Sequence, residues 1–203
     1  MKKIIILFLI FVIGCTHLNE LPNAFVSKPP KEIQIQYELA LDDFSEANKL
    51  ISSAFKNEKI SQQLTQTDNI NSENYLNAIR ELNQAKLNLE KSIQKNKEGI
   101  RILQKLRSTK DPSINQDQMR NLIQLKLYGN LLSTQTIECH NVTIRNYNIF
   151  SKSDFSNSTA LKQDYKDCNN KRIFVEEYIM RQSWLDNATI SSPLPGLELN
   201  QNA

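Results

Sequence analysis

Apolar residues recur along most of this chain at alternating spacings of four and three, the period of helices that pack against other helices. The first such stripe begins just after Lys31 and runs into the middle fifties. Its members are Ile33, Tyr37, Ala40, Phe44, Ala47, Ile51 and Ala54. The spacing predicts one long amphipathic helix at the start of the folded region.

A second stripe follows a predicted polar connection at residues 57–71. Asn71 or Ser72 is suited to cap the helix, and Glu73 falls in its first turn. The stripe comprises Tyr75, Ile79, Leu82, Leu89, Ile93, Ile100 and Leu103, with Lys86 and Asn96 as polar interruptions. At 1.5 Å per residue, residues 73–107 predict a rod about 50 Å long.

Asp111 and Pro112 end the second helix and begin a third, with Ser113 and Gln116 as a candidate capping box. Its stripe comprises Leu125, Tyr128, Leu132, Cys139, Val142 and Ile149. Residues 134–150 are rich in β-branched and aromatic side chains, so a strand is the alternative there, although we favour helix. After a turn at residues 151–153, a fourth stripe comprises Leu161, Tyr165, Cys168, Val175 and Ile179.

These stripes predict an all-α fold, a bundle of three to four long antiparallel helices with coiled-coil-like hairpins, spanning residues 31–188. The scarcity of glycine and proline inside this region argues against many short strands. Residues 189–203 have no apolar period and are expected to be a disordered tail.

Charge predicts how the first two helices meet. An acidic run in the first helix and a basic run in the second become neighbours if the chain folds back near residue 64. That register places Glu38 level with Lys91 and Glu32 level with Lys97. The alternative is that both runs are simply solvated faces.

The N-terminus carries a different pattern. Lys2 and Lys3 precede about ten apolar residues at 4–13, the length of a signal-peptide core and about half of a membrane span. The run ends in Val12-Ile13-Gly14-Cys15, which resembles the lipobox of bacterial lipoproteins, although that family usually has leucine where this chain has Val12. The alternative is an ordinary secretory signal.

The resemblance implies cleavage after residue 14 and acylation of Cys15. Several acyl chains hold a protein on a bilayer where one alone is marginal. Residues 15–30 are then expected to be a flexible tether that leads from the membrane to the bundle. The expected location is the bacterial cell envelope, in the outer membrane, with the periplasmic and surface sides left open.

Two further cysteines, Cys139 and Cys168, lie equally far from the turn near residue 153 and both fall on apolar stripes. Antiparallel third and fourth helices place them opposite each other, and export permits oxidation. The sequence therefore predicts a disulfide, with two buried free thiols as the alternative.

Candidate chemistry is sparse. The two histidines are His17, in the tether, and His140, which points about 100° away from Cys139 on a helix and so makes a poor metal clip or catalytic pair. The adjacent carboxylates Asp42–Asp43 and Glu176–Glu177 are expected on solvated faces. The aromatic residues Phe174, Tyr178 and Trp184 are expected in the core rather than in a binding patch. We therefore predict no catalytic residues, no metal, no cofactor and no enzyme activity.

After cleavage the chain keeps 23 basic residues, since Lys2 and Lys3 are lost from 25, against 22 acidic ones. This balance argues against a nucleic-acid partner. The expected function is a structural or adaptor lipoprotein that binds another protein. The alternative is a surface-exposed lipoprotein that binds an external ligand, since lipid, tether and helical domain together look like the layout of spirochaetal helical surface lipoproteins.

Overall fold

Three long helices pack against each other in the computed structural model, which describes residues 24–66, 71–152, 163–164 and 166–171. Helix α1 spans Lys31–Leu64, α2 spans Ser72–Ser108 and α3 spans Gln116–Ser151. Helix α2 packs along both α1 and α3. The all-α bundle that the apolar stripes predict is confirmed, and residues 134–150 are helical rather than extended.

The first stripe lies where the sequence predicts it. Every member from Tyr37 to Ala54 is buried, and Ile33 is partly buried against the same core. Helix α1 continues beyond this stripe to Leu64, so the first half of the predicted polar connection is helical. Because polar residues on an outer helical turn resemble a loop in sequence, the connection was predicted too long.

This longer helix also corrects the register of the first hairpin. The helices are antiparallel, but the predicted levels of Glu38 with Lys91 and Glu32 with Lys97 are wrong. Three observed contacts, Asn57–Glu81, Asp43–Lys95 and Leu64–Asn74, are each centred on residue 69 rather than 64. The shift follows from the turn lying beyond Leu64.

Asparagine side chains cap both later helices. Asn71 Oδ1 accepts a hydrogen bond from the Asn74 amide at 2.9 Å, which selects Asn71 over Ser72 as the cap of α2. At the start of α3, Asn115 Oδ1 accepts from the Gln118 amide at 3.1 Å. The capping box predicted from Ser113 and Gln116 is therefore wrong, because the helix begins two residues later than the sequence pattern suggests.

Helix α3 buries part of its predicted apolar stripe: Leu132 and Cys139 are buried, and Tyr128, Val142 and Ile149 are half-buried. Leu125 is 50% exposed. The buried positions of α3 are Met119, Leu122, Ile123, Lys126, Asn130, Leu132, Ser133, Thr136, Cys139, His140 and Asn146. More than half of them are polar, so hydropathy alone identifies only part of the face that meets α1 and α2.

The core differs between the two ends of the bundle. The apolar end, next to the α2–α3 turn, holds a cluster of eleven buried residues: Ala24, Tyr37, Ala40, Phe44, Ile100, Leu103, Leu106, Ile114, Met119, Leu122 and Ile123. The polar end, the half of the bundle towards the α1–α2 connection, has a smaller buried cluster of Ile51, Ala54, Ala85 and Leu89. Polar side chains, among them Ser61, Thr136 and His140, fill much of its remaining interior.

Candidate anchoring and binding surfaces

The segment that precedes α1 is fixed to the α2–α3 turn. The Val26 amide donates to the Ser113 carbonyl and the Asn115 amide donates to the Ala24 carbonyl, both at 2.8 Å. These bonds form an isolated antiparallel bridge around Phe25. The Phe25 ring packs edge-on against the Tyr37 ring, with the ring centroids 5.0 Å apart. Ala24 is buried. The chain is therefore held at the apolar end from Ala24 onward, nine residues after the predicted lipidation site.

The turn that receives this segment is tightly hydrogen-bonded. Asp111 Oδ1 accepts from the Ser113 hydroxyl at 2.6 Å and from the Ser113 amide at 2.9 Å. These two bonds, the hydroxyl bond first, lower the pKa of the Asp111 carboxyl because they stabilise its charged form. Lys110 adopts a left-handed conformation with φ of 54°. The Asp111 carboxylate thus organises the turn around which the N-terminal segment packs.

A broad depression of about 720 Å³ opens beside this turn, lined by residues that include Arg107 and Lys110. It is wide and open to solvent, whereas catalytic and small-molecule pockets usually enclose their ligand. We therefore regard it as a shallow surface depression at the apolar end and not as an active site.

The disulfide lies in the polar end. Cys139 of α3 and Cys168 are bonded, with their Cα atoms 5.5 Å apart. Residues 166–171 are helical, and Asp164 contacts Arg145 of α3. Because position 164 meets 145 and position 168 meets 139, this segment runs antiparallel to α3. The structure thus joins the two cysteines in the arrangement that the sequence predicts.

His140 is buried beside Glu58 of α1. Only 4% of the residue is exposed, and its Nε2 lies 3.4 Å from Glu58 Oε2 of α1 without the alignment of a hydrogen bond. A substrate cannot reach a ring so deeply buried, and oxidised Cys139 offers no thiolate beside it. The contact joins α1 to α3 rather than forming a catalytic pair.

The adjacent carboxylates Asp42 and Asp43 take separate roles. Asp43 accepts a hydrogen bond from Lys95 of α2 at 3.2 Å, and Glu46 and Glu98 also contact the Lys95 ammonium group. Hydrogen bonds from Lys95 to Glu46, Asp43 and Glu98, in that order, raise the pKa of this lysine. Asp42 is exposed. The pair does not form a shared acid and base site.

The outer face of α1 carries an exposed apolar pair. Ile35 is 47% exposed and Leu39 is 52% exposed. Their spacing of four places them on one side of the helix, and Glu32 and Asp42 extend the same side at spacings of three. We call these four residues the α1 outer face.

Comparisons with known proteins add no family to this description. No protein-family model matches the chain, and neither a curated protein nor a solved structure matches it. None of the helices among the described residues has both the length and the apolar character needed to cross a bilayer. In the same part of the chain, His, Cys, Asp and Glu side chains form no group of three that could hold a metal ion.

Several predicted residues lie outside the described ranges: Cys15, His17, Tyr165, Phe174, the pair Glu176–Glu177, Tyr178 and Trp184. In the described part, sequence analysis missed the attachment of residues 24–26. The available signal was the short apolar run Ala24-Phe25-Val26 within an otherwise polar tether.

Proposed function

We propose that this protein is a lipoprotein of a bacterial cell envelope, anchored through acylated Cys15, whose helical bundle is a structural or adaptor module that binds another protein. The proposed role is binding and not catalysis. Two features support the anchor: the lipobox-like sequence before Cys15, and the attachment of Ala24 to the bundle nine positions after that cysteine.

The α1 outer face is the observation that carries the binding role. Ile35 and Leu39 expose apolar surface on a helix held rigidly by its opposite, buried side. Glu32 and Asp42 flank them with negative charge. Helix-binding partners usually present apolar anchors at such spacings, so the expected partner segment is a helix with apolar residues bordered by lysine or arginine.

Site-specific photo-crosslinking in the native organism tests this role. A photo-reactive amino acid at Leu39 is expected to give a discrete protein adduct. The same amino acid at Leu76 is the matched control, because Leu76 is 51% exposed and lies at the polar end. Replacing Ile35 with serine in the Leu39 probe is expected to weaken the adduct. The absence of an adduct at Leu39, or the same adduct from both positions, contradicts the proposed binding face.

Protease treatment of intact cells separates this role from the alternative. An adaptor inside the envelope is expected to be protected until the outer membrane is opened. Digestion of the bundle on intact cells supports surface display and the binding of an external ligand.

A further inference from the structure

The apolar end of the bundle presents a group of exposed basic side chains around the point where the N-terminal segment is fixed. Lys28 and Lys31 lie before and at the start of α1, and Lys105, Arg107 and Lys110 lie at the end of α2 and in the following turn. All five are exposed, and none forms an ion pair within the described ranges. We call them the basic collar.

An exposed apolar side chain lies within this collar. Val26 is 66% exposed, the highest value among the exposed large apolar residues of the described part. Its backbone is nevertheless fixed by the hydrogen bond to Ser113. The fold therefore holds an apolar side chain in solvent between lysines, a combination that suits the boundary between lipid headgroups and acyl chains.

Chain length brings this surface to the membrane if Cys15 carries lipid. Ala24 lies nine positions after Cys15, and a fully extended chain spans at most about 3.6 Å per residue, so Ala24 lies within roughly 32 Å of the anchor. The polar end is far from this point, since Leu76 lies 29 residues from Lys105 along α2, about 44 Å at 1.5 Å per residue.

The distribution of charge also favours the apolar end as the one that faces the membrane. Residues 24–32 and 105–116 contain the five collar residues and two acidic ones, Glu32 and Asp111. At the polar end, residues 58–66, 71–78, 145–152, 163–164 and 166–171 contain five basic residues and four acidic ones, and Arg145 is paired with Asp164. Positive charge near a membrane surface is attracted to anionic lipids. The excess of unpaired positive charge thus lies where the N-terminal segment is attached to the bundle.

We propose that the basic collar and Val26 dock on the anionic lipid headgroups of the membrane that holds the acylated Cys15. This inference rests on the proposed lipid anchor and adds a defined orientation to it. The apolar end faces the bilayer, while the polar end points away. The docking is electrostatic and reversible, because exposed charges act over a Debye length of about 8 Å at physiological salt.

The test uses the full lipidated protein, purified from bacterial membranes and reconstituted into vesicles. Its lipidated and disulfide-bonded cysteines leave an introduced thiol as the only free one. Val26→Cys is labelled with a fluorophore and read against vesicles that carry a lipid-bound quencher. Leu76→Cys is the matched control at the polar end. The vesicles are either neutral phosphatidylcholine or the same lipid with phosphatidylglycerol.

Quenching at position 26 is expected to increase with phosphatidylglycerol and to fall in 1 M salt, whereas position 76 is expected to be unaffected. The double reversal Lys28→Glu with Lys31→Glu is expected to lower the docked-to-undocked ratio at least about 25-fold, taking about fivefold for each lysine removed at an anionic surface. The matched reversal Lys56→Glu with Lys59→Glu changes the net charge equally at exposed positions far from the collar and is expected to have little effect.

The two proposals fail in different ways. A protein that does not float with neutral vesicles contradicts the lipid anchor and, with it, the docking. A protein that floats but gives equal quenching at positions 26 and 76, or responds equally to both charge reversals, contradicts the docking alone. Loss of the position 26 signal on adding inorganic phosphate at constant ionic strength also contradicts it, because that result indicates a small-anion site.

Discussion

The same three helices pack through different kinds of side chain at the apolar end and at the polar end of the bundle. In the apolar end the most buried side chains are large, such as Phe44, Leu103 and Met119. In the polar end the small polar Ser61 is buried as deeply as Leu89, and the disulfide lies close by. Burial of apolar area is the main favourable term in folding. The comparison therefore suggests that the polar end depends more on its covalent and polar contacts.

Truncating a core aromatic residue at each end gives the largest contrast. Phe44→Ala is expected to lower the free energy of unfolding by about 3–5 kcal/mol, because the side chain is fully enclosed and leaves a cavity. Phe55→Ala, in the partly buried rim of the polar cluster, is expected to lower it by about 1–2 kcal/mol. Chemical denaturation measures both. Equal losses contradict the difference between the two cores.

Removing the disulfide is the next largest change. The double variant Cys139→Ala with Cys168→Ala is expected to lose about 2–4 kcal/mol, because the bond closes a loop between residues 29 apart. Hydrogen exchange is expected to accelerate most at residues 134–151. Residues 99–106, within the apolar end, are expected to retain more protection. Uniform acceleration along α2 and α3 contradicts the proposed dependence of the polar end on this bond.

Two glycines of the described helices, Gly99 and Gly129, extend the comparison to the addition of a single methyl group. A Cβ added at Gly99 lies 2.6 Å from Phe44 Cε1 and 3.0 Å from the Ala40 carbonyl oxygen, so Gly99→Ala is expected to cost about 1–3 kcal/mol. A Cβ at Gly129 meets nothing within 4 Å. Gly129→Ala is therefore expected to stabilise the helix by about 0.5–1 kcal/mol. Thermal unfolding of both variants checks the opposite signs.

A buried asparagine pair links α2 and α3. Asn96 Nδ2 donates to Asn130 Oδ1 at 3.0 Å, and both residues are buried. Asn130→Leu alone is expected to cost about 1–3 kcal/mol, because it leaves the Asn96 amide without this partner. Replacing both by leucine is expected to recover most of that loss. A double-mutant cycle with no coupling between the two positions contradicts a role for this bond in helix pairing.

The smallest effect concerns the ionisation of Tyr37 in the apolar end. Burial raises the pKa of its hydroxyl above the usual value of 10.0. The folded state thus favours the neutral phenol, so this contribution to stability is present below about pH 10 and is lost as the pH rises through the higher folded value. Tyr37→Phe is expected to make unfolding less steeply dependent on pH above 10, as circular dichroism can show. An unchanged slope contradicts this assignment.

Sequence patterns were sufficient for α1 because its buried side is made of residues that hydropathy recognises, from Tyr37 to Ala54. They identified only part of the buried face of α3, where Lys126 packs over the Phe44 ring and Asn130 bonds to α2. Such residues satisfy their polar groups only in the tertiary structure, and no local period reveals that. The predicted register of the α1–α2 hairpin was wrong for a related reason. The polar residues before Leu64 are helical, so the turn lies further along the chain than their sequence indicates.

The candidate surfaces were predictable to different degrees. The pairing of Cys139 with Cys168 follows from symmetry about a turn, which is a property of the sequence. The α1 outer face depends on knowing which side of the helix is buried, and the basic collar depends on three separate segments meeting at one end. Neither arrangement can be read from residue spacing.

Metabolic labelling with a fatty-acid analogue tests the central claim, the lipid anchor at Cys15, most directly. The account predicts that the wild-type chain incorporates the label and loses its first 14 residues, and that Cys15→Ala does neither. A wild-type chain that remains unlabelled, or a Cys15→Ala chain that is labelled and cleaved as before, contradicts the anchor and the orientation built on it.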